Sequence, residues 1–214
     1  MSTVIRPYRP ENSEELDALY AICLRTGDHG ADASARYADP RLLGEVYAGP
    51  YAALEPELVF VAEDGEGVCG YVLGTGDSEA FAARCERLWW PPLRRRYPLP
   101  DPEDDSDSAH VVRRIHAGAP LELPFLGSHP AHLHIDLLPR GQGHGLGRRL
   151  MERFVAALRE RGVPGLHLGV SALNPRAIAF YRRFGFETLQ AHPWGEWMGL
   201  RLTPPQPAAV SSAG

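Results

Sequence analysis

The stretch from Ala131 to Leu158 constrains the fold more tightly than any other part of the chain. In His132-Leu-His-Ile-Asp-Leu-Leu138, Leu133, Ile135 and Leu137 share one face while His132, His134 and Asp136 share the other, which is the period of a strand. Pro139-Arg-Gly-Gln-Gly-His-Gly-Leu-Gly147 follows, and Leu146, Leu150, Phe154 and Leu158 then recur at i+4 steps until Gly162 and Pro164 end a helix. Glycines 143, 145 and 147 therefore sit at a strand-to-helix turn, where several backbone amides lack partners. Such a turn can wrap a pyrophosphate, because glycine lets the backbone approach closely and a helix N-terminus favours anions. Three alternating glycines cost chain entropy, which argues for a ligand over a turn that binds nothing. The dinucleotide fingerprint G-x-G-x-x-G fails in register: Arg148 stands at its third glycine, and the next strand ends without an acidic residue for a ribose.

The other elements follow from periodicity and breakers. Ile5 to Tyr8 reads as a short strand, and Ser13 caps a helix carrying Leu16, Leu19, Tyr20 and Cys23. Residues 26–35 form a polar loop, and Pro40 opens a short helix through Leu43 and Val46. Leu58 to Glu63 and Val68 to Leu73 are two strands joined by Asp64-Gly-Glu-Gly67. Residues 74–130 are a long insertion, with a helix from Ser78 to about Trp90, a Pro-broken basic patch at Arg94, Arg95 and Arg96, and an acidic run from Asp101 to Asp107 read as a solvated loop. Gly165 to Val170 is a strand, Asn174 to Phe184 a helix ended by Gly185, and Phe186 to Leu189 and Trp197 to Leu202 are closing strands. Residues 1–202 are thus one α/β domain, and 203–214, dominated by Pro, Ala and Ser, are a disordered tail.

Composition removes several functions. All 22 basic residues are arginine, so a P-loop and any Schiff-base or pyridoxal-phosphate chemistry dependent on an internal lysine are excluded. A net charge of −5 without a dense basic run argues against nucleic acid. Cys23, Cys69 and Cys85 suggest neither a disulfide framework nor a metal site. No apolar leader and no membrane-length apolar run is present, so the expected setting is cytoplasmic with no membrane partner. Arg, Ala, Pro and Gly enrichment without Lys points to a GC-rich bacterial genome.

Gln142-Gly-His-Gly145-Leu-Gly147 resembles the Q/R-x-x-G-x-G/A pyrophosphate motif of the GCN5-related N-acetyltransferases (GNAT), and Leu137-x-Pro139 the segment before it. Asn174-Pro-Arg-Ala-Ile-Ala-Phe-Tyr181-Arg-Arg-Phe-Gly185-Phe186 resembles the family's second signature. Within the family, Cys23-Leu-Arg-Thr-Gly-Asp28, Gly49-Pro-Tyr51, Gly67-Val-Cys-Gly-Tyr-Val-Leu-Gly74 and Pro91-Pro-Leu are similar to the C-terminal acetyltransferase-like domain of eukaryotic protein O-GlcNAcase.

The resemblance implies a GNAT fold: a mixed, mostly antiparallel sheet, flanked by helices and splayed where acetyl-CoA enters as a substrate. It implies that Leu137 and Leu138 bond the pantetheine arm through their backbone, and that Gln142, Gly143, His144, Gly145, Leu146, Gly147 and Arg148 form the pyrophosphate site. It implies further that Asn174 touches pantetheine and that Tyr181 both contacts the cofactor and acts as general acid toward the thiolate. Seven residues separate Asn174 from Tyr181, so both lie on one helix face.

Many relatives place a Glu base five residues before the motif Asn; here that position is Gly169. Alternation puts His134, Asp136 and His167 on polar faces that could line one cleft, and Asp136 is the first choice of base, since a carboxylate among apolar strands has a raised pKa. Asp28, His29, Asp32 and the acidic run would suit a protein lysine or small cationic amine as acceptor. The expected activity is acetyl-CoA-dependent N-acetyl transfer, by a monomer or homodimer. The alternative is a weak or inactive module that keeps an acetyl-CoA or peptide cleft without turnover.

Overall fold

The computed structural model describes residues 3–118 and 122–202, so the expected tail at 203–214 lies outside the described residues. Seven strands form one sheet in the order β1-β2-β3-β4-β5-β7-β6. They are β1 (Val4–Pro7), β2 (Phe60–Asp64), β3 (Gly67–Thr75), β4 (Ala131–Leu137), β5 (Gly165–Ser171), β6 (Glu187–His192) and β7 (Gly195–Arg201). Every neighbouring pair is antiparallel except β4 and β5, which are parallel and share only Ala131 with Leu166 and His132 with His167. Pairing then stops although both strands continue, and the sheet is split along its middle from residue 133 onward.

Helices cover both faces. On one lie α1 (Ser13–Thr26), α2 (Leu42–Tyr47), α3 (Gly49–Leu54), α4 (Ser78–Leu88), α5 (Trp90–Arg96) and α6 (Asp107–Ala117); α7 (Leu146–Glu160) and α8 (Pro175–Phe184) belong to the other core. The i+4 stripe of α7, Leu146, Leu150, Phe154 and Leu158, is wholly buried against Leu133, Leu166 and Phe60. Each such side chain contributes about 1.5–3 kcal/mol of burial, so this stripe is what holds the glycine turn against the sheet. In β3, a register shift opposite Ala62 and Glu63 skips Cys69, which sends Cys69 and Val72 to one core and Tyr71 and Leu73 to the other.

Four expectations change. Asn12 caps α1, its Oδ1 accepting from Glu14 N at 3.0 Å, and Ser13 is already helical. The basic patch is a helix: Pro91 and Pro92 fall in the first turn of α5, where a missing N–H costs nothing, so Arg94, Arg95 and Arg96 ride its last turn. The expected helix to Trp90 accordingly ends at Leu88. Segment 78–117 contributes Phe81, Cys85, Trp90, Leu93, Val111 and Ile115 to the first core. The acidic run is partly ordered by its own carboxylates, Asp101 and Asp104 accepting from the amides of Glu103 and Ser106, and its last member, Asp107, starts α6. Among the described residues no helix is long and apolar enough to cross a membrane.

Candidate active site

The split in the sheet exposes one edge of β4, and hydrogen-bond phase decides which residues own it. Leu138 N donates to Cys69 O at 2.8 Å, so Leu138 faces β3. Antiparallel pairs alternate, so Leu137 and, two residues earlier, Ile135 turn their backbone groups toward the gap. The Leu138 carbonyl is also taken, by Gly141 N at 2.8 Å, and its side chain is buried in the first core. Of the expected pair, Leu137 thus turns its backbone toward the gap, together with Ile135, while Leu138 turns toward β3. Ladder parity along the predicted strand carried that signal, but only the β3 partner sets its phase.

Beyond the edge lies the glycine turn. Gly143 and Gly145 have φ of 82° and 72°, and a Cβ on either would meet nothing within 4 Å, so backbone conformation rather than crowding demands glycine there. Gly147 is different: a Cβ would come within 3.2 Å of the Leu137 side chain. Among the described residues no backbone acceptor serves the amides of Gly143 to Arg148, and the first backbone bond of α7 is Arg149 N to Gly145 O. This is a ring of free donors at the positive end of a four-turn helix, a fit for a diphosphate. The His144 side chain is exposed and lines neither of the two cavities described below, while its amide is one of these donors. Arg148 lines the cavity while its Nε is bonded to Glu152. Gln142 is a strut: Nε2 donates to Leu137 O at 2.8 Å and Oε1 accepts from Arg176 Nη2 at 3.0 Å, tying the end of β4 to the start of α8. Gly145→Ala is expected to cost about 1–2 kcal/mol of stability through its left-handed φ and to weaken acetyl-CoA binding about tenfold by tilting these amides, as calorimetry would read.

Two cavities, of about 800 and 410 Å³, meet along the split and share Ile135, Asp136, Asn174 and Tyr181. Asn174 caps α8, its Oδ1 accepting from Ala177 N at 3.1 Å, and Tyr181 follows two turns later on the same face. The Tyr181 side chain is packed between Phe180 and Phe186, yet its hydroxyl makes no hydrogen bond with any described residue. Burial and the nearby Asp136 carboxylate push its pKa far above that of an ordinary phenol. Asp136 Oδ2 accepts from Tyr71 Oη at 2.7 Å. Burial raises the Asp136 pKa, with the Tyr71 hydrogen bond opposing it.

His134 lines the second cavity, and burial together with Arg114 pushes its pKa down to about 4. His167 does not reach the cleft: it is buried, and its Nδ1 donates to the His129 carbonyl at 2.7 Å. Asp28, Asp32 and the acidic run, which would suit a cationic acceptor, likewise do not line the two cavities. Asp28 is paired with Arg36, Asp32 accepts from Ser34 N, Asp107 also holds Arg36, and of Asp28, His29 and Asp32 only His29 lines the two cavities. Instead, the wall of the second cavity includes Tyr37, Leu43, Tyr47, Val111 and Leu168. Gly169 lies under Trp197, whose ring is 3.0 Å from where a Cβ would stand. A side chain at this position would therefore press on that indole. Gly169→Glu is expected to displace Trp197 and cost about 1–3 kcal/mol, lowering the melting temperature without raising acetyl transfer.

Comparison with known proteins agrees with this geometry. The family model for the acetyltransferase (GNAT) family matches residues 28–186. Rat protein O-GlcNAcase is 27% identical over 184 residues, covering 85% of this chain and 20% of that protein, so the chain spans about a fifth of the relative's length. The crystal structure of SsHAT superposes with a TM-score of 0.88 at 41% identity, covering 95% of this chain and all of that one. At 16% identity, yncA from Salmonella typhimurium, solved with its cofactor acetyl-CoA, shares the fold with a TM-score of 0.54 over 98% of this chain and 99% of that one. The chain shares its overall architecture with a solved structure at 41% identity, its residues 28–186 match the family model, and it belongs to the acetyltransferase (GNAT) family.

Proposed function

We propose that the protein transfers an acetyl group from acetyl-CoA to a primary amine. The observation that carries this is the meeting of two cavities at Asp136 and Tyr181, with unbonded backbone amides in one and a polar, aromatic wall in the other. In this reading the amides of Gly143 to Arg148 hold the diphosphate, and the edge of β4 at Ile135 and Leu137 takes the pantetheine arm as an added strand would, beside Asn174. The amine enters through the second cavity. Asp136 accepts a proton from its nitrogen as the new C–N bond forms, and Tyr181 donates one to the departing thiolate.

The acceptor we propose is an amine on a slender chain, either a lysine side chain of a protein or peptide, or a small free amine. With the charged loop residues paired among themselves, Asp136 is the carboxylate that would face it. The test is calorimetry with acetyl-CoA, followed by transfer of a labelled acetyl group to a lysine peptide. The chain itself has no lysine, so label on lysine reports transfer to the added acceptor. Binding together with labelling is the expected result. Binding without labelling of any amine would leave a binding module, and no binding at millimolar acetyl-CoA would overturn both.

A further inference from the structure

Behind the second cavity, four side chains form a hydrogen-bond chain whose polarity is set at its far end. Ser78 Oγ, at the start of α4, lies 2.6 Å from the Pro130 carbonyl oxygen and 2.6 Å from His132 Nδ1. A carbonyl oxygen only accepts and serine has one hydrogen, so Ser78 donates to Pro130 and accepts from His132 Nδ1–H. His132, kept neutral by burial beside His134, His167 and Arg114, is then an acceptor at Nε2, where Tyr51 Oη stands at 2.7 Å and spends its one hydrogen. Tyr51 Oη also lies 3.3 Å from His134 Nε2 and can only accept there. His134 therefore carries its proton on Nε2 and its lone pair on Nδ1.

The chain ends on a carbonyl, so it passes no proton onward; its effect is to choose a tautomer. Inverting it forfeits the Ser78 hydroxyl bond to Pro130. His134 is surrounded by Tyr47 of α2, Tyr51 of α3, Arg114 of α6, and His132 and Asp136 of its own strand, and Arg114 with burial keeps the ring neutral. Its Nδ1 has no partner among the described residues, yet it is not among the buried polar atoms left without one. Nδ1 therefore keeps some accessible surface, and His134 is part of the wall of the second cavity.

We propose that the Ser78–His132–Tyr51 chain presents His134 Nδ1 as a fixed acceptor for one N–H of the attacking amine, while Asp136, two residues along the same face of β4, takes the other. A primary amine has two hydrogens and one lone pair. Two acceptors on one wall turn that lone pair away from the wall, toward the thioester carbon. A secondary amine, an alcohol or a thiol has one hydrogen and leaves one acceptor unpaired, so the pair selects primary amines. His134 touches the substrate in this scheme, and Tyr51, His132 and Ser78 are positioning residues.

This rests on the transferase reading, and the experiment separates the two. Steady-state transfer to phenethylamine and to a lysine peptide is compared with transfer to N-methylphenethylamine, in the wild type, His134→Ala and Tyr51→Phe, with nitrogen-15 NMR of the histidines. His134→Ala is expected to lose tenfold or more in kcat/KM for the primary amines, to lose most of the preference over the secondary amine, and to keep its KM for acetyl-CoA. The wild type should show His134 as a single Nε2–H tautomer, and Tyr51→Phe a mixture with a rise in amine KM. Normal transfer with an unchanged primary-to-secondary ratio in His134→Ala, or a wild-type His134 protonated on Nδ1, overturns the inference and leaves the transferase reading intact. A wild type that transfers nothing to any amine overturns both.

Discussion

Tyr181→Phe is expected to slow acetyl transfer by about 10²–10⁴-fold while leaving the affinity for acetyl-CoA nearly unchanged. The ring is already packed against Phe180 and Phe186, with centroids at 5.4 and 5.6 Å, and phenylalanine reproduces that packing. The hydroxyl bonds no described residue, so its removal orphans no partner, and folding stability should hold. Only the proton is lost. Burial and the Asp136 charge keep that proton on the oxygen across the physiological range, as an acid that must deliver it to a thiolate requires. Thiol release followed at saturating acetyl-CoA, beside calorimetry, checks both halves. A variant with wild-type turnover would remove Tyr181 from the mechanism.

The second large effect is expected from Asp136→Asn, and it runs in opposite directions for activity and stability. As a base, Asp136 must be ionised, so the wild-type rate should fall as pH drops through its pKa, which burial has moved above the ordinary carboxylate range. The Asn variant should lose about 10²-fold or more and, with it, that acidic limb. For stability the sign follows from linkage. A carboxyl group whose pKa is higher folded than unfolded contributes stability below its unfolded pKa, and that contribution is lost as pH rises through the folded one. At neutral pH the ionised, buried Asp136 therefore costs the fold something that Asn does not, and Asn Oδ1 can still accept from Tyr71. Calorimetric melting should find the variant as stable as the wild type or more so at neutral pH, with the advantage shrinking in acid. A variant that keeps the acidic limb would assign it to another group.

Much of the site could be read locally. A strand pattern, three glycines and an i+4 stripe are contiguous in the chain, and each is enforced by backbone geometry within a few residues. The pairing of Asn174 with Tyr181 is a matter of helical pitch and needs no other element. What escaped depends on contacts between distant segments. Whether Leu138 or Ile135 faces the gap turns on one bond from Leu138 to Cys69, a residue on another strand beside a bulge. That position 169, which holds no base, leaves no free room for a side chain could not be read either, because the neighbouring Trp197 lies on β7. That Arg36 holds both Asp28 and Asp107, so that neither is free to meet a cationic acceptor, is likewise a contact between distant segments.

The amino-acid sequence by itself determined that this chain builds a strand, a turn of free amides and a helix, and that one helix face carries an amide and a phenol, because those features rest on short-range sterics and period. Tertiary structure alone decided which edge of β4 is free, which polar groups meet at the junction of two cavities, and which nitrogen of His134 bears the proton. Each of these depends on a hydrogen-bond partner from a distant part of the chain, and a side chain's environment is set by what packs against it.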